Sequence, residues 1–156
     1  MSLEAGTYFI KNGDKFIGLA GGKRVVLLDE GVEAPKVIYL FSQDALLSLI
    51  VSSRIQWKVD KKGRAYILKV EGYATTNANN LIWATEEEPE QWLIVNSERN
   101  GKESFIIKSQ YSPEGWVAPF EDEGPQIMYR ILIVGPSIPP YYPPNEVFEF
   151  IRVDRD

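Results

Sequence analysis

Three segments decide the fold: Ile55-Gln56-Trp57-Lys58-Val59, Glu90-Gln91-Trp92-Leu93-Ile94 and Glu146-Val147-Phe148-Glu149-Phe150. Each sets a bulky aromatic in a short run rich in β-forming residues. Each also has a matching opening upstream: Gly6-Thr7-Tyr8-Phe9-Ile10, Gly63-Arg64-Ala65-Tyr66-Ile67 and Gly101-Lys102-Glu103-Ser104-Phe105-Ile106-Ile107. A pattern that recurs three times describes three units. None of them can bury its apolar strand face alone, so the three must close one core together.

Turn chemistry fits the same division. Asn12-Gly13-Asp14 lies between the Tyr8 strand and a second strand at 15–19, which is a strong hairpin signal. Lys61-Lys62-Gly63 and Asn100-Gly101 separate closing strands from the openings that follow. Further strands are predicted at 35–41, 80–83, 115–117 and 126–134, close to twelve in three sets of four. Residues 42–50 have weak helix signals, with Ser42 as a cap, but read better as an extended crossing.

Three four-stranded units joined by hairpins describe an all-β fold, the β-trefoil. Six strands close a barrel and six cap it in pairs, which leaves no long edge to defend. The prediction is one domain over 1–156, with units at about 6–62, 63–100 and 101–156. In this frame Trp57, Trp92 and Phe148 are core plugs rather than sugar-binding platforms. The first and third units carry the long inserted loops, and there the binding surface is expected.

Composition narrows the chemistry. The 156 residues carry a net charge of −5, which disfavours nucleic acid as a partner. No run of about 18 apolar residues is present to cross a membrane as a helix. The start, Met1-Ser2-Leu3-Glu4-Ala5-Gly6, has no signal-peptide pattern, so a cytoplasmic location is expected. The chain has no cysteine and no histidine, which removes the usual nucleophile–base pairs and the commonest metal ligands. No catalytic residue, metal or cofactor is expected. The acidic runs Glu86-Glu87-Glu88 and Glu121-Asp122-Glu123 lack calcium-loop spacing and read as solvated turns.

Three segments are candidates for binding. Gly21-Gly22-Lys23-Arg24-Val25 is either a solvated basic loop or a bait for a trypsin-like pocket. Its paired glycines count against the bait, since a flexible loop must be ordered on binding. Tyr73-Ala74-Thr75-Thr76-Asn77-Ala78-Asn79-Asn80 is asparagine-rich, which turn chemistry alone explains. Gly135-Pro136-Ser137-Ile138-Pro139-Pro140-Tyr141-Tyr142-Pro143-Pro144-Asn145 is stiffened by its prolines. It reads equally as a binding ridge, with Ile138, Tyr141 and Tyr142 as apolar anchors, and as a rigid crossing with its tyrosines on the barrel.

Several stretches together resemble the cospin-type serine protease inhibitors of mushrooms, β-trefoil proteins related to the mycocypins. They are Ser2-Leu3-Glu4-Ala5-Gly6-Thr7-Tyr8, Glu90-Gln91-Trp92, Gly115-Trp116-Val117 and, most specific, the run from Leu132 through Gly135-Pro136-Ser137-Ile138 to Pro144-Asn145-Glu146-Val147-Phe148. The resemblance implies reversible, substrate-like inhibition of trypsin-like serine proteases by a monomer. It implies Arg24 as the reactive residue, with Lys23 and Val25 beside it. A second family site, in the loop before the last strand, meets Ile138 here instead of a basic residue. The related cysteine- and asparaginyl-protease inhibitors imply Asn77, Asn79 and Asn80 as an alternative. A fungal trefoil lectin is a further alternative, but the adjacent Gln56-Trp57 and Gln91-Trp92 lack the spacer of the ricin-type Gln-x-Trp repeat.

Overall fold

The computed structural model describes residues 2–28 and 55–153. Twelve strands run through these residues: β1 (Gly6–Asn12), β2 (Lys15–Ala20), β3 (Arg24–Leu27), β4 (Gln56–Lys62), β5 (Ala65–Val70) and β6 (Ala74–Ala78), then β7 (Leu81–Thr85), β8 (Trp92–Asn96), β9 (Ser104–Ser109), β10 (Glu114–Val117), β11 (Met128–Ile131) and β12 (Phe148–Arg152).

Antiparallel pairing carries β1 to β12, β12 to β9, β9 to β8, β8 to β5, β5 to β4 and β4 back to β1. This ring is a closed six-stranded barrel. The hairpins β2–β3, β6–β7 and β10–β11 cap it. They join one another through Arg24↔Trp83, Met128↔Leu81 and the bridge Val26↔Gln126. The architecture is a β-trefoil.

The sequence repeat has a direct structural meaning. The opening and closing aromatics of each unit are register partners: Tyr8 faces Trp57, Tyr66 faces Trp92 and Phe105 faces Phe148. Trp57, Trp92 and Phe148 are fully buried. A fourth ring, Trp116 of β10, meets all three edge-on, with centroids at 5.9, 5.6 and 6.3 Å. Two of the plugs satisfy their indole N–H groups inside the core: Trp57 Nε1 donates to the Ile17 carbonyl at 2.8 Å, and Trp92 Nε1 to Thr75 Oγ1 at 2.9 Å. Phe148 has no such donor to satisfy. The hydroxyls of Tyr66 and Tyr8 donate to the carbonyls of Leu3 and Glu4, both at 2.7 Å, and Leu3 is buried beneath them.

Two strands fall where the sequence reads as loop. β3 follows directly on the Gly21–Lys23 turn, and its four residues are too few to announce an alternation. β6 hides Thr75, a fully buried hydroxyl that donates to the Leu68 carbonyl at 3.1 Å while accepting from Trp92. A buried threonine satisfied on both sides looks polar in sequence but belongs to the core. The strand expected over 126–134 is shorter, because at Ile133 the backbone N–H turns to the Glu146 carboxylate. The strand expected at 35–41 and the crossing at 42–50 lie outside the described residues.

Candidate functional site

The segment Lys23-Arg24-Val25 is not a protruding extended loop. Gly21–Lys23 form a single 3-10 turn in which Gly22 and Lys23 take φ of 74° and 62°. Lys23 Nζ lies 3.1 Å from Glu86 Oε2 and 5.1 Å from the centre of the Tyr73 ring. Arg24 opens β3 with its backbone between Ala20 and Trp83, and its Nε donates to the Gly21 carbonyl at 2.9 Å. Val25 has no exposed surface and belongs to the main core. The side chain of Val25, expected beside the reactive residue, is buried and anchors β3 on the barrel.

The asparagine segment is likewise a hairpin and not an open loop. Asn77 lies in β6, half-buried, and its backbone N–H and Nδ2 both donate to Glu90 Oε1, at 3.2 and 2.6 Å. Asn79 and Asn80 form the two-residue turn to β7, with φ of 54° and 63°. Left-handed backbone at both central positions is what such a hairpin turn requires, and asparagine tolerates it. Neither residue presents the extended backbone that a protease cleft reads.

The proline-rich connection between β11 and β12 is different. Its base rests on Glu146, a residue only 2% exposed, whose carboxylate accepts the Ile133 N–H at 2.8 and 3.1 Å. Burial raises the Glu146 pKa above the usual carboxylate range, and the Ile133 N–H opposes that rise. The Tyr142 hydroxyl is also pushed up, first by burial and then by the Glu146 charge. Asn12 Nδ2 clamps the foot, donating to the carbonyls of Pro144 and Val147 at 2.9 and 2.8 Å.

Further out, the connection is held across its own width. The Gly135 N–H donates to the Tyr141 carbonyl at 2.7 Å. A Cβ at position 135 would sit 2.9 Å from the Cβ of Tyr141, so this crossing has room only for glycine. The Ser137 N–H donates to the Gly135 carbonyl and Ser137 Oγ to the Pro139 carbonyl, both at 2.9 Å. Arg99 reaches over from the turn before β9, and its Nε donates to the Pro139 carbonyl at 2.8 Å. At the apex stands Ile138, 99% exposed. Tyr141 is about half exposed, while Tyr142 packs on the cluster of Ile106, Val117, Met128 and Leu132. The segment is thus a ridge and a crossing at once: Tyr142 ties it to the barrel and Ile138 points away. Ile131, Ile133 and Val134 extend the exposed apolar surface at the start of the same connection.

Sequence reasoning missed the three side chains that hold this ridge. Asn12 reads as a turn residue, Glu146 as part of a closing strand, and Arg99 carries no signal in the sequence. Only the proline content of the ridge itself was a signal.

The peptidase inhibitor I66 pattern matches residues 1–152. The chain belongs to that family. As an I66 member it is a protease inhibitor and not an enzyme. A serine protease inhibitor of Lentinula edodes is 33% identical over 156 residues, covering 98% of this chain and 100% of its own length. Among solved structures, a proteinase inhibitor from Coprinopsis cinerea superposes with a TM-score of 0.75 at 24% identity, covering 97% of this I66 chain and 100% of that one. A ricin B-like lectin of Macrolepiota procera, solved with lactose, reaches 0.62 at 16% identity, with 98% and 100% covered. The likeness to the lectin is one of fold alone, and the buried Trp57 and Trp92 offer no face to a sugar.

Proposed function

We propose that this I66 inhibitor reversibly occludes a serine protease with the 132–147 ridge, Ile138 entering an aliphatic specificity pocket of the elastase type. One observation carries the reading. Ile138 is 99% exposed at the apex of a loop whose backbone is bonded on both sides of it. An exposed aliphatic side chain on a stiff support gains its full burial on binding and loses little freedom in doing so. An interface of the usual size, roughly 1,600 Å², extends well past one side chain. Ile131, Ile133, Val134 and Tyr141 supply apolar surface for it.

Trypsin-like specificity through Arg24 is the weaker reading. A cleft that took Arg24 would compete with its bond to the Gly21 carbonyl and would meet a backbone already paired with Ala20 and Trp83. The test is a titration of elastase-, chymotrypsin- and trypsin-type enzymes with wild type, Ile138→Arg and Arg24→Ala. Wild type is expected to inhibit the elastase-type enzyme, and Ile138→Arg to trade that for trypsin. Wild-type inhibition of trypsin that Arg24→Ala abolishes would refute the assignment to Ile138.

A further inference from the structure

The apex of the ridge is flanked by a cation that comes from elsewhere in the fold. Residues 132–147 hold one carboxylate, Glu146, which is buried, and no lysine or arginine. The charge bonded at the apex is therefore Arg99, which arrives from the β8–β9 connection. Its Nε donates to the carbonyl of Pro139, and that same carbonyl accepts Ser137 Oγ at 2.9 Å. Ser137 and Pro139 are the two neighbours of Ile138, so the shared carbonyl brackets the apex from inside the loop and from outside it.

The turn that carries Arg99 is braced. Ser97 is buried; its Oγ donates to Asn100 Oδ1 at 2.6 Å and its N–H to the Ser104 carbonyl at 2.8 Å. Asn96 Nδ2 donates across the same turn to the carbonyls of Gly101 and Ser104, at 3.1 and 2.9 Å. Arg99 itself is exposed. Of its five N–H donors one is engaged: among the described residues the two Nη groups have neither a hydrogen bond nor an ion pair. In the free protein water serves this open fork. A complex that seats Ile138 brings the partner up to the next residue as well, and the guanidinium bonded there loses part of its water. A desolvated cation weakens binding unless an opposite charge meets it, and a planar fork is best met by a carboxylate.

We propose that Arg99 is a specificity-determining residue whose Nη groups pair with a carboxylate on the rim of the protease's pocket. The inference rests on the reading that Ile138 enters that pocket. It adds the partner's chemistry: an elastase-type enzyme with an acidic rim is preferred, and one with a basic rim is disfavoured by like charge.

The experiment turns on Arg99→Gln, in which the amide nitrogen falls where the arginine Nε lies. The bond to the Pro139 carbonyl is kept, while the charge and the fork are lost. Wild type, Arg99→Gln, Arg99→Glu and Ile138→Ala, each first checked for an unchanged thermal midpoint, are titrated against elastase-type enzymes that differ in charge around the pocket. Wild type should favour acidic rims, and its association with them should slow as salt rises. Arg99→Gln should weaken inhibition of those enzymes by about 10- to 100-fold, affect the others several-fold less, and flatten the salt dependence. A side chain that only props the loop would move neither the ranking nor the salt response. Arg99→Glu should reverse the ranking, and it carries the test if Arg99→Gln proves unstable. The proposal is overturned if Arg99→Gln inhibits every enzyme as wild type does, or loses the same factor on all of them, while Ile138→Ala is weak. If Ile138→Ala matches wild type, or wild type inhibits none of the enzymes, the ridge reading falls and this assignment falls with it.

Discussion

Replacing Ile138 by alanine separates what the apex contacts from what holds it up. The side chain is 99% exposed in the free protein, so its removal takes almost nothing from the folded state. Unfolding stability should stay within about 0.5 kcal/mol of wild type. In a protease pocket the same change removes three buried carbons, at about 0.8 kcal/mol each. The sum of about 2.4 kcal/mol weakens the inhibition constant by about 50-fold. The assay is tight-binding titration of an elastase-type enzyme with a chromogenic peptide, beside urea unfolding of the same samples. Gly135→Ala provides the complementary perturbation. It touches no partner directly but drives a Cβ to 2.9 Å from that of Tyr141, and so loosens the bridge beneath the apex. About tenfold is expected, roughly the net worth of one lost hydrogen bond plus some ordering cost. The two effects should fall short of additive, because a loose ridge seats Ile138 poorly to begin with. Inhibition by Ile138→Ala within threefold of wild type, with stability intact, would refute the placement of Ile138 in the pocket.

Other consequences concern the scaffold. Gly115→Ala places a Cβ 2.4 Å from the Ile107 carbonyl oxygen and should cost about 1–3 kcal/mol in urea unfolding. Gly21→Ala meets nothing within 4 Å and should be neutral or slightly stabilising in the same experiment. Trp57→Phe leaves the Ile17 carbonyl without its indole donor and opens space beside Trp116, for an expected loss of about 2–4 kcal/mol by denaturant titration. Glu146 titrates above the ordinary carboxylate range because it is buried, so the native state holds its proton more tightly than the unfolded chain does. Stability should therefore fall as pH rises from the ordinary carboxylate value through the raised one. Glu146→Gln should flatten that part of the pH profile and lie closest to wild type at the acid end.

The barrel was legible in the sequence because its signal is repeated. Tyr8, Tyr66 and Phe105 recur at the openings, Trp57, Trp92 and Phe148 at the closings, and the register pairs them within each unit. The cap hairpins were less legible. A strand of four residues such as β3 carries too little alternation to read, and β6 disguises a core position as Thr75. The candidate site was legible only in part. Proline content marked the ridge as stiff and Ile138 as its apolar apex, but its bonds to Asn12, Arg99 and Glu146 span from 13 to 135 residues of chain. No local pattern encodes contacts of that length. The surroundings of Arg24 were hard to read for the opposite reason. A basic residue after two glycines reads as an exposed loop, whereas Val25 beside it is drawn into the core and takes the backbone with it.

The division of labour between core and loops explains why Ile138 can sit where it does. Trp57, Trp92, Phe148 and Trp116 form one buried aromatic group, and the strands that carry them are tied into a closed ring. With no open edge to protect and its core shared by three units, the barrel does not depend on what stands at its loop apices. Ile138 can therefore be apolar and exposed without weakening the fold that presents it. Its support is another matter, since Glu146 holds Ile133 at the start of the ridge and Asn12 clamps its foot. A substitution at the apex should change which enzyme is bound, whereas a substitution at Glu146 or Asn12 should weaken inhibition of whichever enzyme the ridge takes. That contrast separates binding residues from positioning residues in one set of inhibition assays.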